Sequence, residues 1–119
     1  MDWNLDKNKP ICPQLCERIC LEIGRGVIKP QDKLPSVREV AVDAGVNPNT
    51  VQKAFSQLES EGLIYSVRSL GWFVGDDIGI AQVIVNNLAQ EKTASYLTEM
   101  ENLGFSKEKI LDYIKELRK

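Results

Sequence analysis

In the middle of this chain a signal that ends one helix, Gly45, lies three positions before a signal that begins another, Pro48. Gly45 stands where a left-handed residue is favoured at the end of a helix. Asn47 is a strong N-cap residue, and Pro48 suits the first position of the helix that follows. Two helices joined by so short a turn are predicted to form a helix-turn-helix.

Each of these two helices has its own sequence signal. Ser36 and Glu39 have the spacing of a capping box, which predicts a short helix over Ser36–Ala44. Apolar residues at helical spacing predict the second helix, over Pro48–Glu61. These apolar residues are Val51, Ala54, Phe55 and Leu58.

The segments around the helix-turn-helix predict a winged form of it. Apolar spacing predicts a preceding helix over Cys12–Gly24, and residues 1–10 are predicted to be a loose arm. Two short β-rich runs follow, Leu63–Val67 and Trp72–Gly75, and they flank a hairpin loop. The predicted fold is therefore mainly α with a small β-hairpin, and residues 1–75 form an N-terminal winged helix-turn-helix.

Residues 76–119 are predicted to be a C-terminal tail of two helices. The first covers Ile78–Asn102, and Ser106 caps the second. The first of these helices has apolar residues on more than one face, so one face can cover the winged helix and another can meet a partner. The residues predicted for this partner interface are Ile80, Ile84, Val85 and Leu88.

Overall charge argues against a nucleic-acid binder, whereas the second helix argues for one. The formal net charge is −2 and the isoelectric point about 5.2, although a basic domain is expected of such a protein. From Asn47 to Leu58, however, there is no acidic residue. Polar side chains there can bond to base edges, and backbone N–H groups at the helix start can hold a phosphate. The side chains predicted to be exposed are Asn47, Asn49, Thr50, Gln52, Lys53, Ser56 and Gln57.

Linked motifs in this region resemble a known family. The stretch KLPSVREVAVDAGVNPNTVQKAFSQLESEGLIYSVRSLGWFV is similar to the DNA-binding domain of the GntR family of bacterial transcription regulators. The motif GVNPNTV and the tail segment LGFSKEKILDYIKEL resemble the small YtrA-like subgroup of that family. The resemblance covers nearly the whole chain, and it implies that the tail is the dimerisation element.

The resemblance also implies roles for individual residues. Arg38 matches a DNA-contacting arginine, and Asn49 with Thr50 matches the polar pair that opens the recognition helix. Arg68 and Gly71 match the wing. The complete set of predicted DNA-binding residues is Ser36, Arg38, Asn47, Asn49, Thr50, Gln52, Lys53, Arg68 and Gly71.

Some positions depart from the family pattern. Gln52 and Pro48 replace arginines that are common in the family, which weakens the expectation of guanine-rich recognition. Ser69 and Leu70 make the wing less basic, and Trp72 is a further departure there, as either a cap on the core of the wing or an exposed contact. DNA binding weaker or more salt-sensitive than that of typical members is therefore expected.

Three cysteines lie four residues apart, at Cys12, Cys16 and Cys20. This odd count on one helical face does not predict disulfides, so reduced thiols and a cytoplasmic location are expected. The thiols are predicted to be small core residues, with a thiol- or metal-responsive sensor as an alternative. No metal site or cofactor is predicted, because the chain has no histidine and the thiols have no fourth ligand nearby.

The sequence gives little support to other classes of function. No enzyme is predicted, because the chain lacks histidine, a nucleophile elbow and a phosphate-binding loop. A winged-helix module that binds protein is the other alternative, although the second helix presents polar rather than large apolar residues. No signal peptide or membrane span is predicted. The resemblance implies a dimeric repressor of a transporter-type operon on a pseudo-palindromic operator, with an unknown small-molecule effector.

Overall fold

The computed structural model describes residues 1–118 and divides the chain into two compact units. The first unit covers residues 1–85, and the second begins at residue 86. The domain boundary predicted after residue 75 lies at the end of the hairpin. The division by contacts falls further along, inside the long helix that follows, so the first turns of that helix belong to the first unit.

Within residues 1–118 the fold has five helices and one two-stranded antiparallel sheet, which confirms the predicted fold class. The ends of the predicted helices and strands differ from the observed ones by no more than one residue. None of the described helices is both long and apolar enough to span a membrane. The elements are α1 (Ile11–Gly24), α2 (Val37–Ala44), α3 (Pro48–Ser60), β1 (Ile64–Val67), β2 (Gly71–Val74), α4 (Gly79–Asn102) and α5 (Lys107–Glu116).

A complete capping box starts α2, as the sequence predicts. The Ser36 hydroxyl accepts a hydrogen bond from the Glu39 amide at 3.1 Å, and the Glu39 carboxylate accepts one from the Ser36 amide at 3.1 Å. The bond from the Ser36 backbone lowers the pKa of Glu39. The stabilisation that Glu39 contributes is therefore present above its unfolded pKa and is lost as the pH falls through the lowered folded pKa.

The turn between α2 and α3 has the backbone geometry that its sequence predicts. Gly45 lies in the left-handed region at φ +69°, where a residue with a Cβ would be strained. The Val46 amide donates to the Ala41 carbonyl at 3.0 Å and closes the helix end. The chain then enters α3 at Asn47, whose backbone is extended.

One apolar core holds the first unit together. The side chains of α1 and α3 supply most of it, and Leu15, Ile19 and Phe55 are each 1% exposed. The hairpin joins this core through Trp72, whose ring meets that of Phe55 edge-on at 5.4 Å. Full burial of a large apolar side chain contributes about 1.5–3 kcal/mol, so these contacts dominate the stability of the unit.

The hairpin has a third, very short neighbour that sequence periodicity does not reveal. β1 and β2 pair from Ile64 with Val74 to Val67 with Gly71. On the other side of β2, Lys33 forms an isolated antiparallel bridge with Phe73. The segment before α2 is therefore fixed along the outer edge of the wing.

The prediction that residues 1–10 form a loose arm is wrong. Trp3 is only 7% exposed and belongs to the core of the first unit. Gln14 on α1 bonds to the backbone of Asp6 in both directions, at 2.7 Å and 2.9 Å. The polar composition of the segment gave no indication that the Trp3 indole is buried or that the segment forms specific hydrogen bonds with α1.

The second unit contains residues 86–102 of α4, which are most of that helix, and all of α5. Ser106 caps α5 by accepting from the Lys109 amide at 3.3 Å, as the sequence predicts. Gly104, at φ +97°, lies in the turn that joins the two helices. Between residues 86 and 118 only Ile110 is fully buried, so the unit has almost no core of its own.

We expect Ser36→Ala to lower the free energy of unfolding of the first unit by about 1 kcal/mol, because it removes the acceptor of the capping box. Urea unfolding followed by tryptophan fluorescence measures this, since both tryptophans lie in the first unit. Ser56→Ala, at an exposed position of α3, is the matched control and should change the value by less than about 0.5 kcal/mol. Equal effects of the two substitutions would contradict the capping role.

Candidate nucleic-acid interface

α3 presents two different faces. Its apolar face lies in the core, where Val51, Ala54 and Leu58 are 0% exposed. The opposite face is polar and free of acidic side chains up to Glu59. The exposed residues of this polar face are Asn49, Gln52, Lys53, Ser56 and Gln57. Amide and hydroxyl groups on such a face can pair with base edges, and the lysine can pair with a phosphate.

The backbone at the start of α3 is already hydrogen-bonded within the chain. The Asn47 side-chain oxygen accepts from the Asn49 amide at 2.8 Å, and the Asn47 carbonyl accepts from the Thr50 amide at 3.0 Å. Pro48 has no N–H group. These bonds disfavour the prediction that backbone N–H groups at the start of α3 hold a phosphate. Contacts to DNA are therefore expected from the side chains.

Two of the predicted recognition residues have less freedom than the sequence suggested. Thr50 is half-buried, which corrects the expectation that it is exposed. Asn47 uses its oxygen as the N-cap, so only its amide N–H groups remain to donate to DNA. Gln52 is exposed, and its bond to the Ser56 hydroxyl is long at 3.3 Å, so its amide can turn to a base.

The first turn of α2 contributes a cation and a hydroxyl. Arg38 is exposed two residues after the N-cap Ser36, with its guanidinium available to a phosphate or to guanine. Ser36 uses its oxygen to accept from Glu39, and its O–H remains able to donate. Both residues belong to the helix that precedes the turn into α3.

The loop of the wing presents one cation and one apolar side chain. Arg68 is exposed there, and Leu70 is 60% exposed. Gly71 lies at φ +116°, a conformation that side chains rarely adopt. Trp72 points inward onto Phe55. Of the two roles predicted for this tryptophan, the structure therefore supports packing on the core and not an exposed contact.

Lys33 is a site residue that sequence reasoning missed. Its bridge to Phe73 lays its side chain along the wing, and its Cε lies 3.3 Å from where a Cβ on Gly71 would stand. Lys33 therefore adds a positive charge beside a wing whose loop contains one arginine. The bridge involves one residue in a segment flanked by prolines, so it produces no periodic pattern. The sequence therefore gave no signal that Lys33 lies beside the wing.

The predicted site residues fall on three elements of one unit. The tight turn joins α2 to α3, and the Phe55–Trp72 contact attaches the hairpin to α3. A hydrogen bond of 3.0 Å from the Ser66 hydroxyl to the Glu59 carboxylate ties β1 to the same helix. This arrangement defines a winged helix-turn-helix, in which the second helix can enter a major groove while the wing lies against the neighbouring backbone.

The comparisons with known proteins identify the family. The family model described as bacterial regulatory proteins, gntR family, matches residues 13–74. The chain is 36% identical to the uncharacterized HTH-type transcriptional regulator YhcF of Bacillus subtilis, over 97% of this chain and 95% of that one. It is 35% identical to the HTH-type transcriptional repressor YtrA of the same organism, over 91% and 84%. The protein belongs to the GntR family of transcriptional regulators, and these relatives are not enzymes.

Solved structures agree with this assignment. A GntR family transcriptional regulator from Listeria monocytogenes matches with a TM-score of 0.83 and 38% identity, over 96% of this chain and all of that one. The DNA-binding domain of AraR, solved in complex with an operator, matches with a TM-score of 0.55 and 36% identity. That match covers 63% of this chain and 92% of the AraR domain.

The three cysteines of α1 have a packing role. Burial raises the pKa of Cys16 to about 12 and that of Cys20 to about 11, so both thiols are protonated at neutral pH. The Cys16 thiol donates to the Ala54 carbonyl at 3.6 Å. Within residues 1–118 these thiols do not join other ligand side chains in a group that could hold a metal ion. These features disfavour the thiol- or metal-sensor hypothesis.

We expect N-ethylmaleimide to label one thiol of the folded protein at pH 7 and all three in urea. Cys12 is half-exposed, whereas Cys16 and Cys20 are buried with raised pKa values, and only a thiolate reacts. Intact-mass spectrometry over the course of the reaction counts the labels, and Cys12→Ala is the control that should abolish the single fast label. Rapid labelling of all three in the folded protein would contradict the packing role.

Proposed function

We propose that this protein is a sequence-specific regulator of transcription that binds double-stranded operator DNA. The observation that carries the proposal is the acid-free, exposed polar face of α3 within a winged helix-turn-helix. Membership of the GntR family and the likeness to the operator-bound AraR domain support it. In this proposal Asn49, Gln52 and Lys53 contact bases and phosphates in the major groove.

The remaining predicted residues anchor the protein around this groove. Arg38 and the Ser36 hydroxyl lie on α2 and contact the DNA backbone or a base edge, and Arg68 with Gly71 contacts DNA through the wing. Thr50 and Asn47 keep secondary roles, because one is half-buried and the other caps α3. Lys33 joins the set as a cation beside the wing.

The acidic composition of the chain is expected to lower its affinity for DNA without placing acidic side chains on the DNA-binding face of α3. Residues 1–75 carry equal numbers of basic and acidic residues, nine each, so DNA binding depends on local charge. Each phosphate contact releases counterions and steepens the dependence of affinity on salt. With few cations at the interface, we expect a modest affinity for DNA that depends only weakly on salt concentration. Of the two expectations drawn from the sequence, weaker binding is therefore kept and greater salt sensitivity is not.

The regulatory role is proposed from likeness. The relative YtrA is a repressor, and we propose repression for this protein as well. A transporter-type operon as the target, an unidentified small-molecule effector and a cytoplasmic location stay parts of this proposal. The free, unpaired cysteines fit a reducing compartment.

We further propose that the protein acts as a homodimer assembled through its second unit. Helices that bury so little of their own surface need a partner to be stable. In the second unit the side chains of Leu103, Leu111 and Leu117 are 70%, 54% and 75% exposed. A two-fold dimer would present two copies of α3 to a pseudo-palindromic site.

Two concave apolar surfaces flank α5 and are suited to receive a second copy. One, of about 440 Å³, is lined by Tyr96, Met100, Phe105 and Tyr113 among others. The other, of about 270 Å³, lies between Leu97 on α4 and Ile114 on α5. Both belong to the second unit and are lined mainly by carbon atoms.

The dimer residues predicted on α4 have a more limited role in this proposal. Ile80 and Ile84 are half-buried and pack against the core of the first unit. Val85 lies against Gly24, where a Cβ on that glycine would be 2.8 Å from the valine Cγ2. With Leu88, these residues can offer only their exposed edges to a second copy, so the larger apolar surface of α5 is the better candidate.

Selection of bound sequences from a random duplex pool tests the proposed function. We expect enrichment of a two-fold symmetric motif in low salt. A pool that stays random in low salt would refute sequence-specific binding by the protein alone and would favour a winged helix that binds a protein partner.

We expect Arg38→Ala to weaken binding to the selected duplex by about 1–3 kcal/mol, because a guanidinium contact to a phosphate or base is lost. Fluorescence anisotropy with the labelled duplex measures the affinity. Arg118→Ala removes the same charge from the second unit and is the matched control. Wild-type affinity in Arg38→Ala would contradict the role of α2.

We expect Ile114→Asp to convert a dimer into a monomer, because it places a carboxylate in an apolar interface. Sedimentation velocity at micromolar concentration should give twice 13.4 kDa for the wild-type chain and 13.4 kDa for the variant. Val27→Asp is the control, since Val27 is 58% exposed in the first unit and should leave the dimer intact. A monomeric wild-type chain would contradict the dimer.

A further inference from the structure

The segment before α1 makes specific contacts with the helix-turn-helix. We call residues 1–10 the N-terminal arm. The Trp3 indole is buried, and its N–H donates to the Asp43 carboxylate at 2.9 Å, near the end of α2. The Lys7 ammonium donates to the carbonyls of Ala44 and Gly45 at 3.3 Å and 3.1 Å. These carbonyls belong to the last residue of α2 and to the turn itself.

The ammonium of Lys7 lies at a point where a positive charge stabilises the structure. The last carbonyls of a helix have no partner within the helix, and the C-terminal end carries partial negative charge. A lysine that bonds to these carbonyls restrains the turn and offsets this charge. Two residues beyond Gly45, Asn47 caps α3, so any shift of the turn displaces the start of α3.

The other end of the N-terminal arm is anchored to α1. Gln14 bonds to the backbone of Asp6 in both directions, and its amide also donates to the Pro10 carbonyl at 2.9 Å. The arm therefore links α1 to the end of α2 through hydrogen bonds at both of its ends.

We propose that the N-terminal arm positions α3 for DNA by holding the end of α2 and the following turn with Trp3 and Lys7. Both are positioning residues that act through the turn. This inference rests on the proposed function, since it assigns a role in operator binding to residues outside the helix-turn-helix. A lysine in this position could instead contact a phosphate directly, and the salt dependence of binding distinguishes the two roles.

The test compares Lys7→Met, Lys7→Arg and Trp3→Phe on the duplex obtained by selection. Methionine keeps the apolar stem and removes the donor, and phenylalanine keeps an aromatic ring without the N–H. We expect about fivefold weaker binding for Lys7→Met and Trp3→Phe, with Lys7→Arg within about twofold of wild type. The slope of log affinity against log salt should stay unchanged.

Amide hydrogen exchange of the free protein supplies a second measurement. Lys7→Met should speed exchange at the Val46 amide, which donates to the Ala41 carbonyl at the end of α2, with little change in the core of α1. Lys9→Met removes the same charge from the same arm without touching the turn carbonyls, and it is the matched control. It should leave both affinity and exchange at the wild-type values.

Three results would overturn the inference. Lys7→Met with wild-type affinity and exchange would show that the arm does not hold the turn. A salt slope reduced by about one would show that Lys7 contacts a phosphate directly. Equal losses in Lys9→Met and Lys7→Met would indicate a general charge effect. A wild-type chain that binds no duplex would refute the proposed function, and the exchange measurement would still decide whether the arm holds the turn.

Discussion

The short turn between α2 and α3 sets the direction of α3 and, through it, the packing of the first unit. Gly45 takes a left-handed conformation that lets α2 end, and Asn47 caps the next helix two residues later. Because the turn is so short, the direction of α3 follows from that of α2. The apolar face of α3 then meets α1 and Trp72, and its polar face is left on the surface. One local backbone geometry therefore sets both the core and the candidate interface.

Local signals predicted most of this fold because each of them acts over a few residues. The capping box of Ser36 and Glu39, the left-handed Gly45 and the N-cap Asn47 are all present as predicted. Contacts between distant segments left no such signal. Trp3 bonds to a residue forty positions away, and the bridge from Lys33 to Phe73 joins the wing to a segment with no strand periodicity. The arm and the extra wing cation were missed for this reason.

Burial and bonding also changed the expected roles of some site residues. Sequence pattern places a residue on a helical face, but it does not show whether its polar atoms are already bonded. The side-chain oxygen of Asn47 accepts the capping hydrogen bond, and the first N–H groups of α3 bond within the chain. The proposed interface thus relies on side chains of α3, with cations from α2 and the wing. An overall negative charge is compatible with this arrangement, because the exposed polar face of α3 has no acidic residue from Asn47 to Leu58.

In the proposed complex, α3 and its neighbours form the surface that meets DNA. The most direct test is an NMR titration of the nitrogen-15-labelled protein with the duplex obtained by selection. We expect the largest amide shifts in the first two turns of α3, the first turn of α2 and residues 68–71 of the wing. Shifts confined to the second unit, or to α1, would contradict this interface.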